Sequence, residues 1–177
     1  PERREAKAAE RQVRRWWVAG FVVLLVQLFL GGWTSTNYAA VACPDFPTCQ
    51  GSYWPEKDYS DAFVLWRGLG VDYEGGVLST AARTAIHYTH RVGAVVVALL
   101  LGWLALLAWR RAQSAQLRFA ALGLAAALLL QWLIGASLIL RGFPLWLGTA
   151  HNAGAALLLL SMVALARYLW PQEGTHA

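Results

Sequence analysis

AIHYTHRVGAVVVALLLGWLALLAW, residues 85–109, decides the fold. A helix needs about 20 predominantly apolar residues to cross a bilayer, and this stretch supplies them. Three more stretches qualify, at about 16–33, 119–140 and 145–170. Trp16, Trp33, Trp109, Arg141, Trp146 and Trp170 mark most of their ends. Tryptophan favours the water–lipid interface, where its amphipathic ring is at home. Backbone polar groups in lipid must be paired within the protein, so the spans are expected to be helices rather than open strands. The expected fold is all-α: one transmembrane domain over residues 1–177, a four-helix bundle with a long outer loop at 34–84.

Composition agrees. Apolar residues make up 58% of the 177 and charged residues 14%, against about 25% charged in an ordinary soluble domain. Ten tryptophans suit two membrane interfaces better than a small soluble core. The chain begins at Pro1 and carries one methionine, Met162. It is therefore expected to be a piece of a longer protein. The basic stretch 1–15 is too long and too charged for a signal peptide, and no small-residue cleavage site follows it.

Lysine and arginine predict the orientation. Arg3, Arg4, Lys7, Arg11, Arg14 and Arg15 precede the first span, Arg110, Arg111 and Arg118 flank the second connection, and Arg167 lies near the last helix's end. The long first connection holds just Lys57, Arg67 and Arg83, and the third just Arg141. Positive residues favour the cytoplasm. Both termini are expected inside, with 34–84 and 141–144 outside. The net charge of +5 follows from this bias and not from a nucleic-acid-binding face, of which the sequence has no aromatic–basic pattern.

The outer loop contains both cysteines, in Cys43-Pro-Asp-Phe-Pro-Thr-Cys49. On the oxidising side of a membrane a disulfide persists. Two free thiols or two metal ligands are the alternatives, the latter poor without a nearby histidine. Phe63, Trp66 and Leu69 recur at helical spacing in 58–69 and predict a short interfacial helix. Gly68, Gly70, Gly75 and Gly76 then mark a turn.

An internal repeat locates a candidate site. Gln27-Leu-Phe-Leu-Gly31-Gly32 in the first span matches Gln131-Trp-Leu-Ile-Gly135-Ala136 in the third. His90-Arg-Val-Gly93-Ala94 in the second matches His151-Asn-Ala-Gly154-Ala155 in the fourth. The chain reads as two copies of a helix–loop–helix unit, and a pseudo-twofold packing would bring His90 and His151 to one level. Each should lie within about two turns of its helix's outer end. Gly93 and Gly154, one turn deeper, leave room for a flat group or for close helix contact.

Ionisable residues inside a membrane point to function. Two facing imidazoles above an apolar slot meet the demands of a six-coordinate haem. The alternatives are histidines that merely cap or pack against neighbouring helices, and another metal, for which the spans offer no Asp or Glu. Arg91 is placed to pair with a haem propionate. His87 shares a helical face with His90 and could be an alternative ligand or a propionate contact, but Gly148 stands in its place in the second copy. His176 lies in the tail and is given no role. Gln27 and Gln131 are read first as interhelical glue.

At these residues the sequence resembles the haem A synthase family. The resemblance is carried by Leu30-Gly-Gly-Trp-Thr-Ser-Thr-Asn-Tyr38, Ala42-Cys-Pro-Asp-Phe-Pro-Thr-Cys-Gln-Gly51, Ile86-His-Tyr-Thr-His-Arg91 and Thr149-Ala-His-Asn-Ala-Gly154, and it runs over about 14–170. It implies an oxidoreductase of the bacterial cell membrane that converts the C8 methyl of haem O to the formyl of haem A. It also implies two similar four-helix halves: an amino-terminal one that works on haem O, and a carboxy-terminal one, closest to this chain, that holds haem b through His90 and His151. The working half is expected to carry a glutamate three residues before the histidine of its His-Arg motif, and here His87 stands there. The resemblance thus implies the cofactor half, with the substrate half elsewhere. Haem O synthase or an electron donor are the protein partners it suggests. A b-type electron-transfer module and a cofactor-free assembly subunit are the competing readings.

Overall fold

The computed structural model describes residues 2–66 and 77–170. Four long helices dominate: α1 (Glu2–Thr36), α3 (Thr80–Arg111), α4 (Ala115–Leu140) and α5 (Leu145–Leu169). Between α1 and α3 lie a 3-10 turn (Ala40–Ala42) and the single-turn α2 (Tyr59–Ala62). Each long helix contains a segment long and apolar enough to span a bilayer. Leu99, Leu129 and Leu160 are each more than 60% exposed on the outside of the bundle, which suits lipid and not water. Four spans place both termini on one face of the membrane. The connections 37–79 and 141–144 then share the other.

The helices outrun the spans read from hydropathy. Arg, Glu, Ala and Lys are good helix formers, so the charged segment before Trp16 continues α1 back to Glu2. At its far end the helix runs past Trp33 to Thr36, with Thr34, Ser35 and Thr36 turning their hydroxyls onto the carbonyls of Leu30, Gly31 and Gly32. Ser79 accepts from the Ala82 amide and starts α3 five residues before Ala85. Ser114 does the same for α4 through the Leu117 amide. The connection between the first two spans is therefore 37–79, shorter than the expected 34–84. Between α4 and α5, Gly142 adopts φ +70°, a left-handed conformation that suits glycine and turns the chain back within four residues.

The helix expected over 58–69 is a single turn. Asp58 caps it by accepting from the amides of Ser60 and Asp61, and the helix stops at Ala62. It docks inward: the Trp33 indole donates to the Ala62 carbonyl at 3.0 Å, and Ala62 is buried with Ala39, Leu78, Ala82, Ala85 and Ile86. Trp66 stays 74% exposed. Arg67, Leu69, the glycines at 68, 70, 75 and 76, and His176 lie outside the described residues.

Packing follows the repeat. α1 packs mainly on α3 and α4 mainly on α5; the two pairs join through α3–α4 and α1–α5. The deeper core is aliphatic, with Leu24, Leu101, Leu104, Leu124, Met162 and Leu165 essentially inaccessible. Near the termini Arg14 donates to the Leu169 carbonyl at 2.7 Å and Trp17 to the Met162 carbonyl at 2.8 Å, tying α1 to the end of α5.

Candidate functional site

His90 and His151 meet between the two helix pairs. Their ring centroids are 6.5 Å apart and their planes cross at 80°. His151 sits within two turns of the start of α5, as expected. His90 lies ten residues into α3, nearly three turns deep, because Ser79 starts that helix early.

Each histidine is held from the paired helix by the repeat's glutamine. The Gln27 Nε2 donates to the His90 carbonyl at 2.9 Å and lies 3.1 Å from its Nδ1. Gln131 Nε2 donates to the His151 carbonyl at 3.1 Å and lies about equally near both ring nitrogens, 3.3 Å from Nδ1 and 3.4 Å from Nε2. Glycines make this possible twice over. A Cβ at Gly31 would stand 3.2 Å from the His90 Cε1, and one at Gly135 would stand 3.1 Å from the His151 Cε1. A Cβ at Gly93 would collide with the Gln27 Oε1, and one at Gly154 with the Gln131 Oε1. The small residues one turn below the histidines therefore serve close helix contact: the glutamine amides fill those notches. Both amide oxygens are buried and have no hydrogen-bond partner among the described residues.

Arg91 points up into the loop. Its guanidinium donates to the Thr48 carbonyl at 2.7 Å, the Cys43 carbonyl at 2.8 Å and the His87 Nε2 at 3.2 Å. Three of its five N–H donors are thereby used. His87 is 5% exposed, with Phe143 of the α4–α5 connection against its ring. It belongs to the junction between helix and loop, above the plane of His90 and His151.

The loop Arg91 grips is closed by the Cys43–Cys49 disulfide, with Cα atoms 4.6 Å apart and both residues buried. Asp45 organises its interior, accepting from the Thr48 hydroxyl and from the amides of Gln50 (2.6 Å) and Gly51 (3.0 Å). The Thr48 hydroxyl, then the Gly51 and Gln50 amides, hold the Asp45 carboxyl below its ordinary value. The Gln50 side chain donates to Thr84 Oγ1 at 2.9 Å, a second tie to α3. Asp45, Gln50 and the histidine-holding role of the glutamines were missed from sequence; the repeat already paired Gln27 with Gln131 and was the signal for the last of these.

Among the described residues no group of three or more His, Cys, Asp or Glu side chains could hold a bare metal ion. What the chain presents is one facing imidazole pair in a four-helix membrane bundle. These features define a multi-pass membrane protein with a histidine pair between repeated helix pairs.

The chain belongs to the COX15-CtaA family, cytochrome oxidase assembly protein, whose model matches residues 1–163. It is 44% identical over 153 residues to the heme A synthase of Shewanella oneidensis, covering 86% of this chain and 46% of that protein. It is 31% identical over 162 residues to the heme A synthase of Caulobacter vibrioides, covering 90% and 44%. The heme A synthase of Brucella ovis is 28% identical over 160 residues, covering 89% and 41%. The chain thus spans less than half the length of these relatives. No solved structure matches it.

Proposed function

We propose that this chain is the haem b-holding half of a haem A synthase, a single four-helix domain of a longer protein in which a second half oxidises the C8 methyl of haem O to the formyl of haem A. The observation that carries this reading is the His90–His151 separation of 6.5 Å. Two imidazoles on opposite sides of one iron stand roughly 6 Å apart between centres, with metal–nitrogen bonds of about 2 Å. A porphyrin brings four nitrogens of its own, so two protein ligands complete its iron. A bare ion would need more donors than this pair.

The bound haem supplies one-electron chemistry. The chain's residues hold it and shape its surroundings. His90 and His151 would hold its iron. The glycines at 31 and 135 let the rings lie close to the paired helices. Arg91 fixes the disulfide loop over the outer end and keeps donors for a propionate. The spans at 16–33, 85–109, 119–140 and 145–170 contain no Asp or Glu, and His87 stands where the working half is expected to carry a glutamate. This half therefore serves the reaction as a cofactor site and leaves methyl oxidation to the other. The arginine distribution puts the termini in the cytoplasm and the disulfide loop outside.

The test is the reduced-minus-oxidised visible spectrum of the 177-residue chain in detergent, beside His90→Ala, His151→Ala and His87→Ala. A sharp low-spin b-type spectrum is expected, kept in His87→Ala and lost or converted to high spin in the other two. A wild-type chain that stays colourless after haem supplementation would refute the proposal.

A further inference from the structure

The end of the bundle that carries both termini holds cations that the bundle itself does not use. Arg14 is engaged: it pairs with Glu10, donates to the Leu169 carbonyl and stacks over Trp170. Arg11 and Arg15 are exposed on α1 and have no hydrogen-bond or ion-pair partner among the described residues. The sequence explains why. The side chains three and four residues away from them belong to Lys7, Ala8, Gln12, Arg14, Val18 and Ala19, besides each other, and none is acidic. Standing one turn apart, the two guanidiniums repel. Both border two open grooves. One, of about 560 Å³, is lined by Ala8, Arg11, Gln12, Arg15, Trp16 and Ala19. The other, of about 380 Å³, is lined by Arg11, Arg14, Arg15, Val18 and Trp170.

Tryptophans fix the depth of these grooves. Trp16 packs edge-on to Trp103 of α3 at 6.3 Å, and Trp17 to Trp170 at the end of α5 at 5.1 Å. Such rings sit at the water–lipid interface. Arg15 is level with them, and Arg11 lies about 6 Å further out. Past the tryptophans, the same face of α1 turns apolar. Val18, Val22, Val26 and Phe29 continue the stripe at helical spacing, each about half exposed. The stripe is cationic at headgroup depth and apolar at tail depth.

We infer that Arg11 and Arg15 form a binding site for an anionic phospholipid, its phosphodiester between the two guanidiniums and its acyl chains along Val18, Val22 and Phe29. A guanidinium offers a planar fork of donors that matches phosphate oxygens. An anion between the two arginines replaces their repulsion with attraction. Charge selects the lipid as well: a zwitterionic head brings a cation of its own toward the arginines, and a net-anionic head does not. The site is independent of what His90 and His151 hold.

The test is native mass spectrometry of the detergent-purified chain, titrated with phosphatidylglycerol or with phosphatidylcholine of the same acyl chains. Two basic residues at an anionic head predict a preference of roughly 10- to 30-fold for phosphatidylglycerol. Arg11→Gln with Arg15→Gln should abolish that preference. Arg111→Gln with Arg118→Gln removes the same charge from α3 and α4 at the same end and should keep it. All four side chains are exposed, so thermal unfolding should not move in either double variant. Equal binding of the two lipids by the wild-type chain overturns the inference. So does a preference that both double variants lose alike, which marks general attraction to a basic surface. Displacement of the bound lipid by millimolar inorganic phosphate overturns it too, because a phosphate site would then need no tail.

Discussion

Replacing Arg91 should loosen the disulfide loop far more than it disturbs the bundle. Its guanidinium makes two loop contacts, to Thr48 and Cys43, at 2.7 and 2.8 Å. Bonds from a charged donor contribute about 1.5–3 kcal/mol each. Arg91 is only partly buried, and water can reach carbonyls freed in an opened loop, so roughly 2–3 kcal/mol of docking energy is at stake rather than the full sum. At about 1.4 kcal/mol per tenfold, the open population should rise roughly 30- to 150-fold. The disulfide reports on that opening, because Cys43 and Cys49 are 0% and 2% exposed and a reductant must wait for the loop to lift. In Arg91→Ala the rate of disulfide reduction by a water-soluble phosphine, followed by thiol alkylation and mass measurement, should increase by that factor. Arg91→Lys should fall between, since an ammonium keeps the charge but cannot span two carbonyls as a planar fork does. Reduction of Arg91→Ala within about threefold of wild type would refute the reasoning, and would mean that Gln50–Thr84 and the packing of Tyr88 on Trp54 hold the loop without it.

Two further outcomes are expected. Gly20→Ala should destabilise the chain by about 1–3 kcal/mol in thermal unfolding, because its Cβ would stand 2.7 Å from the Leu101 Cδ2 and Leu101 is fully buried; Gly123→Ala, with open space at its Cβ, should be neutral or slightly stabilising. The lowered Asp45 pKa sets a pH window for the loop: protonation is disfavoured in the folded loop, so its contribution is present above the ordinary carboxylate value of 3.8 and is lost as pH falls below that through the folded value. Phosphine reduction of the disulfide, taken as a ratio of wild type to Asp45→Asn, should therefore converge on 1 at low pH, and a ratio that does not change with pH would contradict it.

The fold was legible because a membrane writes it in one variable. Hydropathy over about 20 residues located all four spans, and interfacial tryptophans placed several of their ends. It could not locate the helix ends, which depend on helix propensity and capping rather than on lipid. The segment before Trp16 is helical though charged, and Ser79 and Ser114 start α3 and α4 before the apolar residues begin. The short outer helix failed for a related reason. Phe63, Trp66 and Leu69 have helical spacing, yet the local decision was made by Asp58, whose side chain caps one turn, and by Trp33, which pins the Ala62 carbonyl. The repeat paired the histidines correctly, though His90 lies deeper in its helix than the two turns expected. Sequence left the purpose of its glycines open between room for a flat group and close helix contact, because it shows that a residue is small without showing what enters the gap; the glutamine amides fill it.

The two units are alike where their rings meet and unlike above that level, and the difference sorts the candidate residues. Gln27, Gly31, His90 and Gly93 each have a counterpart in Gln131, Gly135, His151 and Gly154, with matching contacts. His87 and Arg91 have none: Gly148 and Asn152 stand in their places. A ligand gripped identically from both faces needs the shared set. The unshared residues answer to the long loop that the first unit alone carries. Chemistry agrees at His87. Arginine can only donate, so the His87 Nε2, 3.2 Å from the Arg91 Nε, must offer its lone pair there, and the ring's hydrogen lies on Nδ1. A nitrogen whose lone pair is already engaged must break that bond before it can ligate iron, and breaking it would release the arginine that holds the loop. His87 is therefore part of the loop's frame, and the proposed haem ligands are the pair that the repeat duplicates.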